Sequence, residues 1–338
     1  MRVVACLQDC AGLPFPVVTI GNFDGVHLGH QAVLKLVKER VALHRGTVVV
    51  LTFDPHPLRV LAPEVELRFL SDPEEKLALL AVEGVDVVVR LPFTREFAAQ
   101  TPEEFMVRVL CEGLGTRELF VGQNFRFGKG RQGTIQTLLE AGPRLGFTTQ
   151  PISPVLVNGA PVSSTRIRDL VQEGSMGQAA ALLGRPYALS GRVVRGTQRG
   201  GGLGFPTANF LPPEGRVLPL DGVYATQLRM EAGGAQVSGS AGDGRSPAKV
   251  GSQVLDAVTY IGTRPTFGAG ARLIETHLLD GEQVLYDREV RVVFYERLRE
   301  DQTFESAELL ARQIAEDVAR TRATLRGLVG APVRTSFS

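Results

Sequence analysis

A change of rhythm at Gly184-Arg185-Pro186-Tyr187 constrains this chain more than any other feature. Before it, short β-branched runs alternate with amphipathic stretches. Val17–Ile20, Val48–Phe53, Val85–Leu91, Leu119–Gly122 and Phe147–Pro151 read as strands. Gln31–Leu43, Pro73–Val82, Pro102–Leu110 and Ile135–Leu145 read as helices. Two of these helices open with Ser71-Asp72-Pro73-Glu74-Glu75 and Thr101-Pro102-Glu103-Glu104: a cap, a first-turn proline, and acids facing the helix dipole. Strand–helix alternation at this spacing predicts an α/β fold with a doubly wound, Rossmann-like parallel sheet. After the change come Gly- and Pro-rich strands: Tyr187–Val194, Gly222–Met230, Val258–Gly262, Leu273–Leu279 and Val290–Tyr295. One long helix, about Ser306–Leu325, follows them. Strands first and a helix last predict a small antiparallel β-barrel with a C-terminal helix. The expected domains are therefore 1–184 and 185–338.

Length supports that division, since 338 residues exceed the ~150 typical of one domain. Hydrophobic content of 43% and charged content of 22% exclude disordered, collagenous and coiled-coil chains. No apolar run is long enough for a transmembrane helix. Asp9 interrupts the N-terminus before a secretory core can form, so neither membrane nor export is expected. The net charge of +1 argues against a broad nucleic-acid surface, while leaving room for a local phosphate site. Cys6, Cys10 and Cys111 make no framework and fit a reducing cytoplasm. Cys6 and Cys10 lack the second ligand pair that a zinc site needs. The Gly- and Ser-rich segment 231–256 reads as a flexible insertion in a hairpin.

The sharpest local signal is Gly21-Asn22-Phe23-Asp24-Gly25-Val26-His27-Leu28-Gly29-His30, between a strand and a helix. Gly29 allows close approach to the backbone, and the helix start offers free N–H groups to an anion. Two imidazoles at that mouth can donate to phosphate oxygens as charge builds in a transition state. A metal pair and an incidental core pair are the alternatives. Ser163-Ser164-Thr165-Arg166-Ile167-Arg168 sets hydroxyls and guanidiniums at a second helix start. That suits a phosphate clamp, or simply a capped helix with a solvated Arg face. Asp54-Pro55-His56-Pro57 and Gly122-Gln123-Asn124-Phe125-Arg126-Phe127-Gly128-Lys129 follow other strands. The latter misses P-loop spacing, and suits either a planar heteroaromatic ligand or a turn with core aromatics.

In the second half, Gly200-Gly201-Gly202-Leu203-Gly204-Phe205-Pro206-Thr207-Ala208-Asn209 joins a phosphate-wrapping glycine run to two oxygen donors. Thr207 and Asn209 share a face if a strand begins there, and their oxygens suit Mg²⁺. A plain glycine-rich loop is the alternative. In Ile274-Glu275-Thr276-His277-Leu278-Leu279-Asp280, Glu275 and His277 share a face. A carboxylate aimed into a barrel mouth can accept a proton from an alcohol, though an isolated strand glutamate is more often merely solvated.

The H-x-G-H loop resembles the nucleotidyltransferase superfamily signature. The full set resembles the prokaryotic bifunctional riboflavin kinase/FAD synthetase (FMN adenylyltransferase) family. It comprises GNFDGVHLGH (21–30), TFDPHP (52–57), VGQNFRFGKGR (121–131), SSTRIR (163–168), LLGRPY (182–187), LGFPTAN (203–209), DGVY (221–224), IGTRPTF (261–267) and ETHLLD (275–280). The resemblance implies phosphorylation of riboflavin to FMN in the second domain and adenylylation of FMN to FAD in the first. ATP is the co-substrate and Mg²⁺ the metal. It implies Glu275 as base for the ribityl hydroxyl, Thr207 and Asn209 as ligands of Mg²⁺ and the ATP phosphates, and Gly200, Gly204, Phe205 and Pro206 as the nucleotide loop. It implies His27 and His30 at the α-phosphate, with Gly21, Asn22, Phe23, Asp24 and Gly29 around the nucleotide. It places Ser163, Ser164, Thr165 and Arg168 at the pyrophosphate end, and Asn124, Phe127 and Arg299 at the flavin. Partners are then riboflavin, FMN, FAD and ATP, with no nucleic acid or membrane. A weak self-association is allowed for.

Two positions depart from the family pattern. Gly201 replaces a frequent basic residue and Leu61 a frequent aromatic. Two rival readings are a monofunctional adenylyltransferase with a degenerate, flavin-sensing kinase module, and a class I aminoacyl-tRNA synthetase relative. The first predicts loss of Thr207, Asn209 or Glu275, all of which are present. The second lacks a KMSKS-like lysine.

Overall fold

The computed structural model describes residues 1–194, 207–230, 253–263, 272–280 and 285–328, with Thr207 and Leu328 as backbone only. The chain forms two compact units, Met1–Arg166 and Ile167–Ser338. Most of the helix at 164–172 and all of the helix at 176–183 therefore belong with the second unit, whereas the expected boundary at 184/185 counts them with the first.

In the first unit, β1 (Arg2–Val4) and β2 (Pro16–Ile20) precede α1 (Leu28–His44) and β3 (Thr47–Asp54). Then come α2 (Pro57–Leu61), α3 (Pro73–Val82), β4 (Val87–Pro92), α4 (Arg95–Ala98) and α5 (Pro102–Glu104). The last runs into a π-helical segment, Phe105–Gly113. β5 (Glu118–Gly122), α6 (Ile135–Leu145), β6 (Thr148–Ile152) and the small hairpin β7 (Leu156–Val157)–β8 (Ala160–Pro161) complete it. The six larger strands form one parallel sheet in the order β1-β4-β3-β2-β5-β6. All five residues of β2 are buried, as the centre of a sheet covered on both faces requires. Separate apolar clusters cover its two faces. One is built around Leu110, Leu119 and Leu138, the other around Leu34, Val37 and Leu80. Strand order reverses between β2 and β5, and ligands of such sheets bind outside the carboxyl ends at that point. The expected doubly wound sheet is present. β1 adds a strand too short for periodicity to reveal.

In the second unit, α7 (Ser164–Gln172, which begins in the first unit) and α8 (Met176–Leu183) lead into β9 (Tyr187–Val194) and β10 (Thr207–Phe210). β11 (Gly222–Met230), β12 (Gln253–Thr263), β13 (Arg272–Leu278), β14 (Glu289–Arg299) and α9 (Ala307–Leu328) follow. The six strands close into a barrel in the order β10-β13-β12-β11-β14-β9, and every pairing within it is antiparallel. Met230 pairs with Gln253, so residues 253–256, expected in the insertion, are strand. Residues 231–252 lie outside the described residues. Among the described residues a chain of threonine hydroxyls runs through the barrel interior. Thr259 Oγ1 lies 2.8 Å from Thr226 Oγ1 and 2.9 Å from Thr276 Oγ1, and Thr226 donates to the Ala257 carbonyl. All three threonines are fully buried, and each hydroxyl is satisfied by the next, as burial demands. α9 covers the outside: Val318 packs on Val223, Ala225, Val258 and Leu298. The Arg299 guanidinium clasps both Asp317 oxygens, and Arg322 reaches Asp280.

Candidate functional sites

At the end of β2 the chain takes an unusual path. Phe23 (φ 51°) and Val26 (φ 38°) are left-handed residues that are not glycine. Such backbone persists only where surroundings over-determine it. Here Asp24, 4% exposed, accepts from the Leu70 amide at 2.9 Å and the Ser71 amide at 3.2 Å. Gly25 N–H donates to Ser71 Oγ at 3.0 Å, and Ser164 Oγ donates to the Asp24 carbonyl at 3.0 Å. Asp24, expected at the nucleotide, is thus the anchor of the loop.

The loop delivers His27 as the N-cap of α1, accepting at Nδ1 from the His30 amide at 3.4 Å. Accepting at Nδ1 places the proton of the neutral ring on Nε2, where it can be donated. The two imidazoles stack 3.7 Å apart at 12°, and Phe23 flanks His30 at 4.8 Å. Stacked in this way, the two rings do not converge their lone pairs on one point. Among the described residues no group of three or more His, Cys, Asp or Glu side chains is placed to hold a metal. Burial first, then neighbouring His27 and Lys76, hold the His30 imidazole well below its ordinary pKa. Its Nδ1 is buried with no hydrogen-bond partner among the described residues. A Cβ on Gly29 would sit 3.1 Å from the His27 ring, so glycine is what lets that ring lie flat against α1.

These groups wall a cavity of about 260 Å³ at the β2/β5 switch point. Gly21, Phe23, His27, Gly29, His30 and Asn124 line it, while Phe127 does not. Phe127 is 6% exposed and packed against Phe105 and Phe125, which is the core-aromatic alternative. Asn22 and Asp24 lie outside the cavity wall. Leu61 is exposed. At the start of α7, Ser163 Oγ caps the Arg166 amide at 3.2 Å, and Arg166 spends its guanidinium on the carbonyls of Val157, Ala160 and Pro161. Thr165 is exposed. Arg168 stands one turn beyond Ser164 on the same face of α7. Leu70, Ser71 and Lys76 escaped the sequence reading, because nothing local marks a contact across 46 or more residues.

In the barrel, β10 lies against β13 so that Thr207 opposes His277 and Asn209 opposes Glu275. Across β12, Glu275 opposes Tyr260. Opposed residues of an antiparallel pair share a face with Cβ atoms roughly 5 Å apart. Asn209, Glu275 and Tyr260 therefore form one row. It is the face turned away from the interior, because the alternating residue Thr276 belongs to the buried threonine chain. This register turns Glu275 away from the barrel interior. The interior holds hydroxyls that satisfy one another, and a charge there would carry a large desolvation cost. Asn209 is 7% exposed, and its amide oxygen with the facing carboxylate is a hard-oxygen donor set of the kind Mg²⁺ accepts. Arg299, expected at the flavin, is engaged with Asp317. Gly200, Gly201, Gly204, Phe205 and Pro206 lie outside the described residues, as does the Thr207 side chain.

Comparison with known proteins separates the two halves in the same way. The FAD synthetase family model matches residues 14–166, and the riboflavin kinase model matches residues 183–325. The bifunctional riboflavin kinase/FMN adenylyltransferase of Escherichia coli (strain K12) is 39% identical over 90% of this chain and 91% of its own length. The chain belongs to the bifunctional riboflavin kinase/FMN adenylyltransferase family. A second member, from Pseudomonas fluorescens, is 39% identical over 91% of this chain and 92% of its own. The fold of the whole family chain also recurs in a crystal structure named as a macrolide-efflux protein from Streptococcus pneumoniae. That structure has a TM-score of 0.79 and 26% identity over 95% of this chain and 98% of that one. Among the described residues of the present family member, no helix is long and apolar enough to cross a membrane. Family membership also sets aside the aminoacyl-tRNA synthetase reading of the H-x-G-H loop, since both enzyme models match in the order the motifs require.

Proposed function

We propose that this chain carries out both reactions named by its family: ATP-dependent phosphorylation of riboflavin to FMN, then adenylylation of FMN to FAD with release of pyrophosphate. The observation that carries the reading is the presence, in separate units, of the His27/His30 stack at a switch-point cavity and the Asn209/Glu275 pair on a barrel wall.

In the first unit, an FMN phosphate oxygen attacks the α-phosphorus of ATP, the new P–O bond forms, and the bond to pyrophosphate breaks. His27 Nε2–H and His30 donate to the α-phosphate oxygens as charge gathers there. Their rigid stack costs no reorganisation at that moment. Ser163, Ser164, Thr165 and Arg168 attend the leaving pyrophosphate, and Asn124 the flavin. No protein nucleophile is needed, because positioning and charge stabilisation carry phosphoryl-type transfer.

In the second unit, Glu275 takes the proton of the ribityl hydroxyl as it attacks the γ-phosphorus, and ADP leaves. Asn209 and Thr207 would hold Mg²⁺, which neutralises phosphate charge when bound. Gly200, Gly204, Phe205 and Pro206 would shape the nucleotide loop. All three cysteines are free thiols, which supports placement in a reducing cytoplasm.

The test is separation of products after mixing the full chain with riboflavin, ATP and MgCl₂. FMN first and FAD later is the expected result. FMN without FAD, or FAD only when FMN is supplied, would reject one half of the reading. Silence with both substrates would reject it all.

A further inference from the structure

Lys76 sits where a lysine is least at ease. It lies in the first turn of α3, where the helix dipole favours acids, and Glu74 and Glu75 beside it obey that rule. It is partly buried one turn before the fully buried Leu80. No carboxylate of the described residues lies within ion-pair distance of its ammonium, and its hydrogen bond goes to the Asn22 carbonyl at 3.4 Å. Helix-start placement, desolvation and a long single bond all count against it, and the attraction of Asp24 and Asp54 offsets the desolvation only in part. A partly buried lysine that bonds only a loop carbonyl is a candidate for a functional position.

The surroundings say which function. Asn22 belongs to the loop that delivers His27 and His30, and Lys76 is close enough to His30 to depress its basicity. The titratable groups that face Lys76 are Asp24 of the loop, Asp54 of β3, Arg90 of β4 and His30 of α1. Arg90 is already paired to Asp54, and Asp24 is bonded to the Leu70 and Ser71 amides. Lys76 is thus drawn by Asp24 and Asp54 but holds neither in an ion pair. A long flexible stem with a compact charge is suited to reaching an anion.

We propose that Lys76 is a further residue of the adenylyltransferase site, a protonated ammonium that leaves the Asn22 carbonyl to bond phosphate oxygens beside His30 during transfer. It supplies charge alone and keeps its proton from start to finish. The inference rests on the assignment of FMN adenylylation to the first unit.

The experiment compares wild type, Lys76→Met and Lys76→Arg as full chains, each assayed separately for FMN formation from riboflavin and FAD formation from FMN. Lys76→Met, which keeps the stem, should lower kcat for FAD formation at least about tenfold while FMN formation stays within about twofold. Lys76→Arg should recover most of the rate. It should also move the alkaline limb of the FAD-forming pH profile upward, since burial lowers the Lys76 pKa while guanidinium does not titrate there. A Lys76→Met rate within twofold of wild type overturns the proposal. So does an unmoved alkaline limb in Lys76→Arg, which decides the matter even if Lys76→Met fails to fold. A wild-type chain that makes no FAD would reject the underlying assignment instead, and the two failures are therefore distinguishable.

Discussion

Asn209 on β10 stands directly opposite Glu275 on β13, so an amide and a carboxylate far apart in sequence share one patch of the barrel's outer wall. The pairing sets a carboxylate beside an amide oxygen, a hard-oxygen donor set of the kind Mg²⁺ accepts.

Removal of the charge at that patch should therefore separate the two activities. Glu275→Gln is nearly isosteric and keeps the ladder. FMN formation should fall about 10²–10⁴-fold, while FAD formation from supplied FMN stays unchanged. Parallel assays of the two steps check this, and equal loss of both in a folded variant would contradict a two-site enzyme.

His27→Ala should do the reverse. It removes the cap of the His30 amide and half of the stack. FAD formation should fall about 10²–10³-fold, and FMN should accumulate from riboflavin. Chromatography of the reaction over time gives the answer.

The His30 imidazole predicts a pH dependence of stability. Burial, with His27 and Lys76 nearby, lowers its folded pKa, so the unfolded chain binds the proton more readily. Stability should then be lost as pH falls below the ordinary histidine value of about 6.5, down to the depressed folded value. Thermal melts between pH 7 and pH 5 should show a smaller acid loss for His30→Gln than for wild type.

Asp24→Ala should damage one unit only. The buried carboxylate would no longer accept from the Leu70 and Ser71 amides, at a cost of about 2–4 kcal/mol. The left-handed path through Phe23 and Val26 would lose its anchor. Denaturant melts should show the loss, FAD formation should collapse, and FMN formation should persist.

Thr259→Val probes the barrel interior. The shape is kept, but Thr276 Oγ1 loses its bond to Thr259 and Thr226 keeps the Ala257 carbonyl. The expected cost is about 1–3 kcal/mol with kinetics otherwise retained, read from the melting midpoint and the FMN-forming rate.

Alternation of apolar runs was enough to reveal the parallel sheet, the barrel and its closing helix, because periodicity is a local consequence of side-chain geometry. The motifs likewise announced which residue types gather after which strands. His27 and His30 were legible for that reason, three positions apart at one helix start. What lay beyond the sequence was every relationship across strands or between distant loops. Register alone decided that Glu275 faces outward while Thr276 faces in, since a shift of one residue would exchange them. Packing decided that Phe127 belongs to the core, that Asp24 is an anchor, and that Arg166 and Arg299 are already committed to the hairpin and to Asp317. Lys76 carries no motif at all. Only the fold brings it beside a loop more than 50 residues away, because close packing joins residues by shape and charge without regard to their separation along the chain.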